Sequence, residues 1–134
     1  MIEKTFPATD EALADALSFV EEELEKIDCP MRHIMPVTVC VEEMFVNVAH
    51  YAYDGEGGTV TLAIDNESGM FSITLIDDGA PFDPLAKPDP DITLSAEERG
   101  IGGLGIFMVK KSMNEVTYER QGDRNVFTMK KRID

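Results

Sequence analysis

The sequence predicts an α+β fold, a two-layer α/β sandwich with helices on one face of a mostly antiparallel, mixed sheet. Three observations predict it. Apolar residues recur with a helical period in two stretches of the first half. Beyond residue 58 the period changes to two, with apolar and polar residues alternating. Two pairs of such alternating runs are joined by short polar turns, as in hairpins. The 134 residues suit one domain, 1–134, with a single core, and 43% hydrophobic with 28% charged residues is the make-up of an ordinary globular chain.

Each element follows from local chemistry. Residues 1–6 read as a short strand closed by Pro7. "TDEALADALSFVEEELEKID" reads as a helix capped by Thr9 or Asp10, with acidic residues in its first turn and an apolar stripe of Leu13, Leu17, Val20, Leu24 and Ile27. "CPMRHIMP" breaks that pattern. A second helix is expected from about Met35 to Tyr53, with Val37, Val41, Met44, Val48 and Ala52 facing inward, ended by "DGEGG". "TVTLAID" and "MFSITLID" form a hairpin around "NESG". Residues 79–100 form a long irregular segment with four prolines, and loops of that length are usually functional lids or disordered. "GIFMVKKSM" is a third helix, and "EVTYERQGDRNVFTMKKRI" a second hairpin turning at 121–125.

Charge limits the partners. A formal net charge of −14 argues against nucleic acid and anionic membrane surfaces, both of which reward Lys and Arg. A nucleotide remains compatible, because a local site can be positive or metal-bridged. A protein partner with a basic patch is favoured. No apolar run approaches the ~18 residues of a membrane helix, and "MIEKTFPATDEAL" lacks the features of a signal peptide, so a cytoplasmic protein is expected. Cys29 and Cys40 lack metal-pair spacing. Cys40 reads as a buried apolar side chain and Cys29 as a loop residue, with no disulfide between them.

Three stretches could carry chemistry. In "VEEMFVNVAHYAY", Glu43 and Asn47 are four apart and His50 three further on, so helical geometry puts them on one face while Glu42 points away. A polar helix face explains this spacing. So does a pairing of a proton-accepting carboxylate with an amide oxygen that holds Mg²⁺. In "LIDDGAPFD", Asp77 ends a strand just before Gly79. That is ordinary turn chemistry, or a carboxylate placed to accept a hydrogen bond from an adenine amino group beside a glycine that leaves room for the base. "ERGIGGLGIF" holds four glycines in ten residues and leads into a helix, so it is a tight connection or an anion-binding loop. It is not a P-loop, since no G-x-x-x-x-G-K-[ST] is present. Gly100, Gly102 and Gly105 spell G-x-G-x-x-G but follow a Pro-rich loop rather than the strand of a βαβ unit.

Taken together, E-x-x-x-N on a helix (Glu43, Asn47), D-x-G at a strand end (Asp77, Gly79) and G-G-L-G before a helix (Gly102, Gly103, Leu104, Gly105) resemble the N, G1 and G2 boxes of the GHKL, or Bergerat-fold, ATPases. The resemblance spans nearly the whole chain. Within that superfamily, "EEMFVNVAHYAY", "DDGAPFDP" and "ERGIGGLGIFMVKKSMNEV" look like the anti-sigma-factor serine/threonine kinases of bacterial partner-switching systems. The chain leaves no room for the phosphoacceptor domain of a sensor histidine kinase, so His33 and His50 are not expected to carry phosphate.

That resemblance implies ATP and Mg²⁺ as cofactors. It implies Glu43 as the general base that helps deprotonate a partner's serine, and Asn47 as the Mg²⁺ ligand. Asp77 would read the adenine amino group and Gly79 would admit the base. Residues 83–99 would be the ATP lid, with Lys87 reaching the nucleotide from it. Gly102, Gly103, Leu104 and Gly105 would wrap the phosphates, Arg99 would contact the terminal phosphate, and His50, Tyr51 and Phe82 would flank the nucleotide. One departure is Pro81, which stands where the G1 box often has a second glycine and implies a stiffer or narrower pocket. The implied partners are a small anti-sigma-factor antagonist, a sigma factor and a second copy of the chain in a homodimer. Two rival functions remain at this level: a catalytically silent, nucleotide-gated protein-binding switch of the same fold, and a scaffold without a nucleotide site.

Overall fold

Alternation becomes a five-stranded sheet: β1 (Ile2–Pro7), β2 (Thr59–Glu67), β3 (Met70–Asp77), β4 (Glu115–Gln121) and β5 (Arg124–Arg132), in spatial order β1-β2-β3-β5-β4. The computed structural model describes residues 1–53, 57–85 and 104–134. Every pairing among the described strands is antiparallel, so the mixed sheet of the sequence expectation becomes a purely antiparallel one. The reason is the last hairpin. The reversal at Gly122–Asp123 turns β5 against β4, and it is β5 rather than β4 that lies beside β3, antiparallel to it.

Register decides which side chains meet. Leu62 pairs with Leu75 and Leu75 with Phe127; Ile64 pairs with Ile73 and Ile73 with Met129. All six are buried, because period-two alternation puts each row on one face. Helices α1 (Leu13–Lys26), α2 (Met31–Asn47) and α3 (Leu104–Ser112) cover that face. Val20 and Leu24 of α1, Val37, Val41 and Phe45 of α2 and Val109 of α3 are buried in the same core. Phe19, outside the expected stripe, is also buried and lies 5.9 Å from Phe6, ring centre to ring centre. Among the described residues no helix covers the opposite face, which carries hydroxyl pairs instead: Thr5 with Thr61 at 2.8 Å and Thr74 with Thr128 at 3.1 Å.

Helix boundaries differ from expectation at three points. Thr9 does act as a cap, but of a short 3-10 turn, Asp10–Ala12, that precedes α1; its hydroxyl accepts from Ala12 N. α2 begins at Met31 rather than Met35 and runs through Pro36. Pro36 removes one rung of the hydrogen-bond ladder, while Pro30 opens the helix by accepting at its carbonyl from His33 N. At its other end α2 widens into a single π-helical turn, Val48–Ala52. Both hairpin turns are tighter than expected, at Ser68–Gly69 and Gly122–Asp123. Cys29 and Cys40 are both buried and unbridged. Among the described residues no helix is long and apolar enough to cross a membrane.

Tyr53 joins three elements just past the wide turn. Its hydroxyl donates to Thr59 O at the start of β2 and accepts from Asp78 N (2.9 Å) at the end of β3. Burial pushes the phenol above its ordinary value of 10.0; the neighbouring Asp77 carboxylate pushes it the same way, against the bond from Asp78 N. A phenol whose folded value is raised contributes stability that is complete below the unfolded value and lost as pH rises through the folded one. Tyr53→Phe is therefore expected to cost about 1 kcal/mol at neutral pH. It is also expected to remove part of the wild-type decline in stability above pH 10, measured by urea unfolding on both sides of that pH. An equal alkaline decline in the variant would show that Tyr53 does not carry it.

Candidate functional site

The inward row of the sheet turns polar at one end. Asp77 continues the row of Phe71, Ile73 and Leu75, and Asn125 continues that of Phe127 and Met129. The two are paired in register and are 5% and 4% exposed, so their polar atoms need partners inside the protein. Asp77 Oδ1 accepts from Gly79 N (2.9 Å) and Asn125 Nδ2 (2.8 Å). Asn125 Nδ2 donates also to Ala80 O (2.9 Å), while its Oδ1 accepts from the Tyr118 hydroxyl, Arg120 Nη1 (3.2 Å) and Phe82 N (3.3 Å). Among the described residues both bonds to Asp77 end on Oδ1, which leaves Oδ2 as an acceptor.

A narrow cleft of about 30 Å³ lies over this pair. Met44, Val48 and Phe127 give it apolar walls, and Asn47, Asp77 and Asn125 give it polar ends. The lining chemistry, apolar walls ending in a carboxylate that accepts, is of the kind that receives the amino edge of a flat heterocycle. Gly79 is required here by close packing. A Cβ on it would lie 2.3 Å from the carbonyl oxygen of Ala52, whose oxygen also accepts from Ala80 N at 2.9 Å. The loop after β3 is thus pressed onto the wide turn after α2.

That wide turn also separates the expected helix-face trio. Glu43 and Asn47 lie within regular α2, one turn apart. Asn47 Nδ2 lies 3.9 Å from the Met44 sulfur, and among the described residues the amide oxygen keeps free lone pairs, which fits a hard cation of the Mg²⁺ type. No group of three or more His, Cys, Asp or Glu among the described residues could hold a metal alone, so a cation here would need ligands from a bound molecule such as a polyphosphate. On its other side Glu43 meets α3: a Cβ on Gly105 would lie 2.4 Å from Glu43 Oε2. Glu43 and the last glycine of the glycine-rich stretch are therefore in contact.

His50 leaves the Glu43–Asn47 face, because the π-helical turn carries fewer degrees per residue than an α-helix. Its Nε2 lies 2.8 Å from Asp10 Oδ1, an exposed pair that ties the wide turn to the N-terminal 3-10 turn. Tyr51 stacks on Phe82 with ring centres 6.5 Å apart, and both are exposed at the rim, Phe82 also lining the cleft. Lys87, Arg99, Gly102, Gly103 and the lid beyond residue 85 lie outside the described residues, as does the side chain of Leu104.

Asn125 escapes the sequence reading because the run 121–125 looks like a turn, and Tyr118 and Arg120 because their partner is the unseen Asn125. The signal was available: Phe127 and Met129 face inward, so alternation puts Asn125 inward too, and a polar residue at an inward position invites a partner.

Comparison with known proteins agrees with this fold. The model of the histidine kinase-like ATPase domain family matches residues 6–131. The chain is 24% identical over 116 residues to the serine/threonine-protein kinase BtrW of Bordetella bronchiseptica, covering 86% of this chain and 82% of that one. It is 29% identical over 119 residues to the serine-protein kinase RsbW of Halalkalibacterium halodurans, covering 86% and 73%. Among solved structures, the RsbU and RsbW domains of Rv1364c from Mycobacterium tuberculosis superpose with a TM-score of 0.68 at 17% identity, over 98% of this chain and 31% of that longer one. The SiaB–SiaC complex from Pseudomonas aeruginosa gives 0.61 at 21% identity, over 98% and 89%. With the family's model matching nearly the whole of this chain and the same fold in these structures, the chain belongs to the histidine kinase-like ATPase domain family.

Proposed function

We propose that the chain is an ATP- and Mg²⁺-dependent protein serine/threonine kinase of the anti-sigma-factor type, acting as one domain in the cytoplasm. It phosphorylates a small anti-sigma-factor antagonist and binds a sigma factor in alternation with it, as a homodimer. The observation that carries the reading is the placement of Asn47 between two sites. One turn away is Glu43, in contact with Gly105 of α3; beside it is the cleft that ends in Asp77. Relatives named as serine kinases, and a similar fold in a two-protein complex, support it.

The roles follow from the chemistry each group can do. Asp77 accepts from the adenine amino group through Oδ2. Asn47 holds Mg²⁺ through its amide oxygen, the metal offsetting triphosphate charge in a chain of net charge −14. The glycine-rich run and the N-terminus of α3 offer N–H groups to phosphate oxygens. Glu43 accepts the proton of the partner's serine hydroxyl as that oxygen bonds to the γ-phosphorus. The bond from γ-phosphorus to the bridging oxygen breaks, and ADP leaves. In such transfers positioning and electrostatics supply most of the rate.

Calorimetric titration of ATP and ADP, each with and without Mg²⁺, into wild type and Asp77→Asn is the first test. Metal-dependent binding that the variant loses is expected; no binding under any condition would leave a protein-binding scaffold. With radiolabelled ATP and a cognate antagonist, Asn47→Ala is expected to lose Mg²⁺-dependent ATP binding, and Glu43→Ala to bind ATP without transferring phosphate. Normal transfer by Glu43→Ala would refute its role as base, and ATP binding without transfer by wild type would mark a silent switch. Gly105→Ala is expected to separate stability from activity. Its methyl group displaces only the end of the flexible Glu43 side chain, and Ala favours a helix by roughly 0.5–1 kcal/mol over Gly. Thermal stability should hold or rise while transfer falls about tenfold or more, a loss of about 1.4 kcal/mol in the barrier.

A further inference from the structure

We propose that Asn125, itself held by Tyr118 and Arg120, is a positioning residue that sets the choice of purine. It locks Asp77 so that the cleft accepts a 6-amino purine and rejects a 6-oxo purine. This rests on the nucleotide reading above and deepens it.

The amide of Asn125 has one workable orientation. Its Nδ2 faces two acceptors, Asp77 Oδ1 at 2.8 Å and Ala80 O at 2.9 Å. Its Oδ1 faces three donors: the Tyr118 hydroxyl, Arg120 Nη1 at 3.2 Å and Phe82 N at 3.3 Å. A flipped amide would set donor against donors and acceptor against acceptors, in a side chain only 4% exposed. The polarity of the whole chain of bonds is therefore fixed from Arg120 inward. Arg120 is Asn125's partner in register on β4, and its guanidinium is braced further by Gly79 O (2.8 Å) and Gly122 O (3.1 Å).

This polarity reaches Asp77. Oδ1 takes donors from both Gly79 N and Asn125 Nδ2, so its lone pairs are engaged. The carboxylate cannot rotate without breaking both bonds inside a buried site. What remains for a ligand is Oδ2, which only accepts. An exocyclic amino group satisfies it; a carbonyl at the same position opposes two sets of lone pairs, a mismatch that buried sites penalise strongly. Arg120 and Tyr118 act through Asn125, and Asn125 acts through Asp77. The discriminating group thus depends on a hairpin more than forty residues away in sequence.

The test is the ratio of affinities for ATP and inosine triphosphate, which differ by amino against oxo at the same ring carbon. Both are titrated calorimetrically with Mg²⁺ into wild type, Tyr118→Phe, Arg120→Gln and Asn125→Asp, with thermal unfolding measured in parallel. Wild type is expected to favour ATP by on the order of 100-fold. Asn125→Asp turns an acceptor toward Asp77 and should narrow that ratio about tenfold or more, with smaller narrowing for Arg120→Gln and Tyr118→Phe. Variants that weaken both nucleotides by one factor, or leave both unchanged, would reduce the network to a structural brace and overturn the proposal. Wild type that binds both nucleotides equally would overturn it as well. Wild type that binds neither overturns the nucleotide reading along with it, and so is told apart from the other failures. Should Asn125→Asp not fold, the two half-buried positions still decide.

Discussion

The structure turns on a carboxylate placed where an apolar row should continue. Asp77 occupies the core-facing position after Leu75, and the register of β3 with β5 sets Asn125 opposite it. A buried, unpartnered carboxylate would cost several kcal/mol, so its neighbours must supply donors. Three separate pieces of chain do so or brace those that do: the loop from Gly79 to Phe82, β5 through Asn125, and β4 through Tyr118 and Arg120. The price of burying one charge is thus the fixed conformation of a whole end of the sheet. That end is where the cleft lies.

Against this rigid floor stands a helix whose geometry changes partway. Regular α2 carries Glu43 and Asn47 at the one spacing that keeps them on a single face, and it packs Glu43 onto α3. The wide turn then releases His50 toward Asp10, brings the Ala52 carbonyl to Ala80 N and delivers Tyr53 to its two backbone partners. The lower wall and the helix wall of the cleft are therefore joined through backbone atoms, which side-chain substitution cannot remove. Around this junction the protein keeps exposed aromatic surface, Tyr51 against Phe82, beside the point where the chain leaves for the expected lid.

Much of this was legible in the amino acids. Alternation in 59–65 and 70–77, and the apolar stripe of α2, gave strands and helix nearly in their observed bounds, because burial on one face enforces the period. Glu43, Asn47, Asp77 and Gly79 stood out as polar or glycine residues where apolar or helical ones were due. What was not legible depended on contacts between distant segments. The break at "CPMRHIMP" suggested a helix beginning at about Met35, yet tertiary packing of Val37, Val41 and Phe45 holds a helix that starts four residues earlier. The antiparallel character of every pairing depended on which strand of the last hairpin enters the sheet, a choice no local period records. Asn125, the side-chain partner of Asp77, sat in a run that looked like a turn. His50 was placed by helical arithmetic that holds only while the helix stays regular.

That irregular turn turns chain length itself into part of the design. Between Asn47 and Tyr53 the backbone must deliver an amide to one wall of the cleft and a phenol to the junction of β2 and β3. Removing one residue from 48–52 at unchanged pitch would swing everything beyond it by roughly 80–100°. No change of side chain could restore both placements at once. Across this segment, evolution can exchange letters far more freely than it can change their number.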